Sequence, residues 1–128
     1  MADNIPVIVW TTRPDGAADY FNKQWYEYTG LGFDESKGSG AQQALHPDDM
    51  ESTLKAWTEA ITNKTRFHFE YRIRRAADGE YRWHLGKGEP LKNEAGNVIA
   101  WFGTSTDIEG QKRSWKEKTN SLAWRVMN

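Results

Sequence analysis

RFHFEYRIRRAADGEYRWHLGKGEPL, residues 66–91, alternates its side chains on both sides of a single break. Phe67, Phe69, Tyr71 and Ile73 interleave with His68, Glu70, Arg72 and Arg74. After Ala-Ala-Asp-Gly, Tyr81, Trp83 and Leu85 interleave with Arg82, His84 and Gly86. A period of two in aromatic and β-branched residues, interrupted by a glycine turn, predicts an antiparallel hairpin. Arginine beside aromatic is also the chemistry of a platform for single-stranded nucleic acid, so the stretch raises a question of function as well as of fold.

Charge placement bears on that question. Residues 1–63 hold four Lys/Arg against ten Asp/Glu, a balance of −6, whereas residues 64–92 hold eight against four, or +4. A nucleic-acid binder presents a dominant basic field. Here the halves neutralise each other to −1 overall, and nucleic acid is not expected as a partner.

Outward from the hairpin the chain reads as two strands, several helices, three strands and a helix. Val7–Thr12 is a β-branched run stopped by Pro-Asp-Gly, and Ala18–Asn22 returns as its hairpin partner. Asn22 stands where it caps the helix Lys23–Thr29, which Gly30 ends. The glycine-rich residues 30–45 read as loop with a turn or two of helix. From His46 the helix start is written out: Pro47 in the first turn, Asp48, Asp49 and Glu51 against the dipole, then Met50, Leu54, Trp57 and Ile61 at helical spacing. The last strand, Val98–Ile108, ends in Thr-Asp-Ile-Glu. Thr106 three residues before Glu109 predicts a capping box opening a helix over 107–127. This order predicts an α+β fold on an antiparallel sheet, with the domain at 1–108 and a linker helix at 109–128.

The chain has no cysteine, which excludes disulfides, thiolate catalysis, cysteine zinc sites and a cysteinyl flavin adduct. No metal site is expected. No apolar run approaches the roughly 20 residues of a membrane span, and the N-terminus lacks the basic start of a secretion signal. The expected setting is the cytoplasm, without membrane contact by this segment. No nucleophile–base order or phosphate loop appears, so no enzymatic role is expected.

Trp-Thr-Thr-Arg-Pro-Asp-Gly with Tyr-Phe-Asn, Tyr-Thr-Gly, His-Pro-Asp-Asp, Glu-Tyr-Arg-Ile-Arg-Arg-Ala-Ala-Asp-Gly-Glu-Tyr-Arg-Trp and Gly-Thr-Ser-Thr-Asp-Ile follow one another across nearly the whole chain. Together they resemble the PAS domain, in the subgroup with HPDD before the long helix. Arg13 stands where the family often has Asp, and the 74–79 turn is about one residue longer than usual. The resemblance implies a five-stranded antiparallel sheet with helices on one face, around a small cavity. It also implies a sensory module, here of a bacterial signalling protein such as a histidine kinase, relaying to an output domain in the same polypeptide. A ligand-free interaction or dimerisation module is the alternative.

The family register places Trp10, Thr12, Tyr71, His84, Gly86, Trp101, Gly103 and Ser105 around that cavity, with Gly86 and Gly88 leaving room for a small molecule. For His84 a satisfied core histidine is the plainer reading. Haem is disfavoured because residues 48–63 contain no His, and no cofactor is expected. Tyr81, Trp83, Leu85 and Phe102 fall on the opposite face, where Arg72 and Arg74 lie over the rings and a helix or a second subunit is needed as cover. Thr106, Asp107 and Ile108 join the sheet to the tail. Ile108, Trp115 and Leu122 are seven apart, with Val126 four further on: a short coiled-coil seam consistent with a homodimer.

Overall fold

The computed structural model describes residues 7–114. Trp115, Leu122 and the remainder of the expected tail seam lie outside the described residues.

Strands β1 (Ile8–Thr12) and β2 (Ala18–Phe21) form the first hairpin, and β3 (Phe67–Arg74), β4 (Tyr81–Lys92) and β5 (Val98–Asp107) form a meander. β5 pairs with both β1 and β4, giving one antiparallel sheet in the order β2–β1–β5–β4–β3. The first strand is thereby brought beside the last, and the junction to the tail lies at the centre of the sheet.

Between β2 and β3 run α1 (Lys23–Thr29), the single turn α2 (Phe33–Ser36), a 3-10 turn (Gly40–Ala44) and α3 (Pro47–Asn63). Gly30 closes α1 at φ 72°, a left-handed conformation that costs glycine little, and its N–H donates to the Tyr26 carbonyl. Asn22 occupies the predicted cap position, but its side chain is used elsewhere. Its Oδ1 accepts from the Val9 N–H and its Nδ2 donates to the Val7 carbonyl, both at 2.9 Å. A primary amide matches the donor and acceptor of a strand, so Asn22 ties α1 to β1.

The start of α3 follows the sequence reading and adds to it. Pro47 is in the first turn, and His46 Nδ1 accepts from the Asp48 N–H at 3.0 Å. Asp49, expected only to complement the dipole, is buried. Its Oδ2 accepts from the backbone N–H of Arg72 on β3 at 2.9 Å. The His46 N–H donates to the Arg72 carbonyl, and Leu45 bridges Ile73. The segment leading into α3 therefore covers the edge strand β3, whose open N–H and C=O groups would otherwise invite pairing with another chain.

Alternation divides the sheet as expected. Phe67, Tyr71, Ile73, Trp101 and Ser105 are buried on the face beneath the helices, Trp101 completely. Trp57 joins the sheet to α3, meeting Trp10, Phe67 and Trp101 edge-on at 5.1–5.5 Å between ring centres.

Candidate functional site

A cavity of about 150 Å³ lies between the sheet and the helices. β1 contributes Trp10 and Thr12, β3 contributes Phe67 and Tyr71, and β5 contributes Ser105. α1 adds Trp25 and α3 adds Thr53, Leu54 and Trp57, while Ala41 and Gln42 come from the 3-10 turn. The Tyr71 and Ser105 hydroxyls share a hydrogen bond of 2.6 Å. Burial pushes the Tyr71 phenol up to about 12, against the hydrogen bond to Ser105, so it stays neutral at physiological pH. The buried Thr53 hydroxyl has no hydrogen-bond partner.

Four of the eight expected residues, Trp10, Thr12, Tyr71 and Ser105, line this cavity. Gly86, Trp101 and Gly103 do not, for a common packing reason. A side chain at Gly86 would enter the Tyr71 ring, and one at Gly103 would enter the Trp10 indole, which also lies against Gly88. The glycines leave room, but Trp10 and Tyr71 already fill it. Trp101 is wholly enclosed against Trp57. The free volume is thereby displaced towards α3 and the 3-10 turn. Trp57 was visible in the periodic face of α3. Thr53 falls at helical spacing between Met50 and Trp57, but as a polar residue it gave no apolar signal, and Ala41, in an irregular loop, carried none.

His84 lies on a separate groove beside Tyr28 and Asp107. It is 1% exposed, its Nδ1 is 2.9 Å from the Arg82 carbonyl, and Tyr28 meets its ring edge-on. A carbonyl only accepts, so Nδ1 carries the proton. Burial pulls the imidazole below its usual value, against the pull of the Arg82 carbonyl and of Asp107. His84 is a buried histidine held through Nδ1 and the edge of the Tyr28 ring.

Beside His84 the last strand passes into the tail. Asp107 accepts from Arg82 Nε at 2.7 Å, the Tyr28 hydroxyl at 3.2 Å and the Glu109 N–H at 2.9 Å. Burial works to raise its carboxyl, but the Arg82 and Glu109 hydrogen bonds prevail and hold it below the usual range. The expected capping box is corrected here. Thr106 remains in β5, exposed and paired with Leu85, and the helix α4, described over residues 109–114, begins at 109 rather than 107. Asp107 caps it, while Glu109 Oε1 accepts from the Trp83 N–H at 3.1 Å. Ile108 is buried, and its N–H donates to the Trp83 carbonyl.

The first turn of α4 supplies part of the cover for the outer face. Lys112 Nζ lies 4.2 Å from the centre of the Trp83 ring and pairs with Glu70 at 2.7 Å, and the Arg72 guanidinium lies 4.9 Å from the same ring. Tyr81 meets His46 at 4.6 Å. Leu85 is half-buried, whereas Phe102 remains 44% exposed. The arginines of the hairpin are largely taken up internally: Arg72 with Asp49, Arg75 with Asp78, Arg82 with Asp107 and Arg66 with Glu89. Of these pairs, Arg72–Asp49 joins the basic stretch 64–92 to the acidic residues 1–63.

A PAS fold family model matches residues 18–105, more than half of the chain, from β2 through α1–α3 into β5. The chain is a PAS domain. Among curated proteins, this PAS domain is 30% identical over 118 residues to the uncharacterised protein y4lL of Sinorhizobium fredii, covering 92% of this chain and 14% of that one. It is 33% identical over 116 residues to the peroxide stress-activated histidine kinase mak1 of Schizosaccharomyces pombe, covering 90% and 7%. The chain thus spans a small part of these relatives. Solved structures of like fold include an RNA-binding light-oxygen-voltage receptor, at TM-score 0.76 and 22% identity over 95% of this chain and 35% of that chain. A sensory box histidine kinase/response regulator from Burkholderia thailandensis follows at TM-score 0.69 and 24% identity, over 96% and 92%. At such identities the likeness establishes the PAS fold alone. No helix among the described residues is long and apolar enough to cross a membrane.

Proposed function

We propose that this PAS domain is a sensory and relay module of a longer signalling protein, taking a small molecule in its inner cavity and passing its occupancy to α4. One observation carries the reading: cavity and helix are joined through consecutive inward positions of β5. Ser105 lines the cavity and holds Tyr71, and Asp107, the next residue on that face, caps α4. Two residues of strand span about 7 Å, so a shift of Ser105 is felt at the cap. Relatives that are histidine kinases support a kinase or similar output domain in the same polypeptide.

The test is native mass spectrometry of purified protein, with hydrogen exchange at residues 107–114 before and after the bound molecule is removed. A retained small molecule whose loss speeds or slows exchange at α4 is the expected result. An empty protein whose α4 ignores every added compound would sink the sensor reading.

Pairing of two copies through the outer sheet is the second part of the proposal, supported by the exposure of Phe102 on β5 and Tyr20 on β2, which flank Thr11 of β1 from either side. Sedimentation should show a dimer that Phe102→Asp converts to a folded monomer. A wild-type monomer at high concentration would remove this part.

A further inference from the structure

The chemistry of the cavity wall is narrow. Trp10, Phe21, Trp25, Trp57, Phe67 and Tyr71 all line it, and among the described residues no carboxylate, ammonium or guanidinium does. An ionised ligand would leave water without a countercharge, which a largely apolar site disfavours. The volume of about 150 Å³ matches cavities that admit one benzene ring, far short of a haem or a flavin. Aromatic walls add edge-to-face contacts that an aliphatic ligand cannot return.

Thr12, Ser39, Gln42, Thr53, Tyr71 and Ser105 supply the polar part of the wall. A threonine inside a helix ordinarily donates to the carbonyl four residues back. For Thr53 that carbonyl is Asp49, which accepts instead from Ser52 Oγ at 3.2 Å. The Thr53 hydroxyl is left buried without a partner, and Thr53 is one of the residues lining the cavity. Tyr71 and Ser105 make one hydrogen bond between two hydroxyls, so one of their two protons is not used in it. A ligand with one small group able both to donate and to accept would satisfy this wall.

We propose that the cavity takes a neutral single-ring aromatic molecule bearing one hydroxyl, phenol being the simplest, with the ring among the aromatic side chains and the hydroxyl on Thr53. This rests on the sensor reading and gives it a ligand class. The 128-residue chain is titrated with phenol, benzene, cyclohexanol and benzoate, followed by calorimetry and by the tryptophan indole N–H signals in NMR. Phenol should bind with a dissociation constant between about 10 μM and 1 mM, and benzoate should not bind.

Thr53→Val, which keeps the shape, should weaken phenol about five- to tenfold and leave benzene unchanged. Ala41→Leu should fill the space and abolish binding, and thermal melts check that both variants fold. Cyclohexanol or benzoate binding as tightly as phenol overturns the ligand class, as does a folded Thr53→Val that binds phenol undiminished. The sensor reading survives either result. If none of the four probes binds, the class falls. A molecule retained through purification and lost in Ala41→Leu would then still uphold the sensor reading, whereas a cavity found empty with an unresponsive α4 removes both.

Discussion

Asp49, in the first turn of α3, grips Arg72 in the middle of β3 through three hydrogen bonds. Oδ1 accepts from Nη2 at 2.8 Å, and Oδ2 accepts from Nε and from the backbone N–H, both at 2.9 Å. The carboxylate thus holds the long helix to the edge of the sheet and positions the guanidinium against Trp83.

Asp49→Ala should cost about 2–3 kcal/mol in urea unfolding at pH 7, since it removes hydrogen bonds to a charge and strands its partner. The Arg72 hydrogen bond holds the Asp49 carboxyl below its usual value. The unfolded chain therefore binds a proton before the folded one does. The contribution is complete above the unfolded value, about 3.9, and fades as pH falls through the folded one. Wild type and variant should converge in stability towards the acid limit. A gap that stays constant would mean that the ion pair is not its source.

His84 should give the domain a second pH dependence, of the same sign and at higher pH. Burial lowers its folded pKa, so the unfolded state takes up the proton first as pH falls below about 6.5. Stability should decline from pH 7 towards pH 5, and in His84→Phe the slope over that window should flatten. An unchanged slope would assign the loss to other groups.

Gly103→Ala should destabilise by about 1–3 kcal/mol, because its methyl group meets the Trp10 indole. Combining it with Trp10→Phe should cost less than the two single changes summed, as a double-mutant cycle would show. Gly86→Leu should unfold the domain rather than plug a cavity, the Tyr71 ring occupying that space. A soluble, cooperatively melting Gly86→Leu protein would contradict this packing.

Asp107→Ala should loosen the start of α4 more than the sheet, removing the cap on Glu109 and the anchor of Arg82 and Tyr28. The expected loss is about 2 kcal/mol, with amides of residues 109–112 exchanging faster than those of β5. Trp83→Ala should add to that exchange by removing the cation–π seat of Lys112, worth about 0.5–1 kcal/mol. Equal acceleration across the whole sheet would show that Asp107 serves global stability instead.

The alternation of residues 66–91 determined two strands and their faces, because the side-chain period of a strand is written in the chain itself. His46-Pro47-Asp48-Asp49 likewise determined a helix start, since first-turn geometry and capping need only neighbours in sequence. The order of these motifs was enough to reach the PAS family. What the sequence did not determine was volume. Which side chain fills the space above a glycine depends on residues distant along the chain, as Trp10 over Gly103 and Tyr71 over Gly86 show. The pairing of like with unlike charge was equally tertiary. Asp49 reads as a dipole complement until β3 arrives beside it, and Asp107 as a strand end until Arg82, Tyr28 and Glu109 converge on it. Local periodicity fixes direction and face. Cavities, ion pairs and caps made by remote partners depend on distance, and distance exists only once the chain has folded.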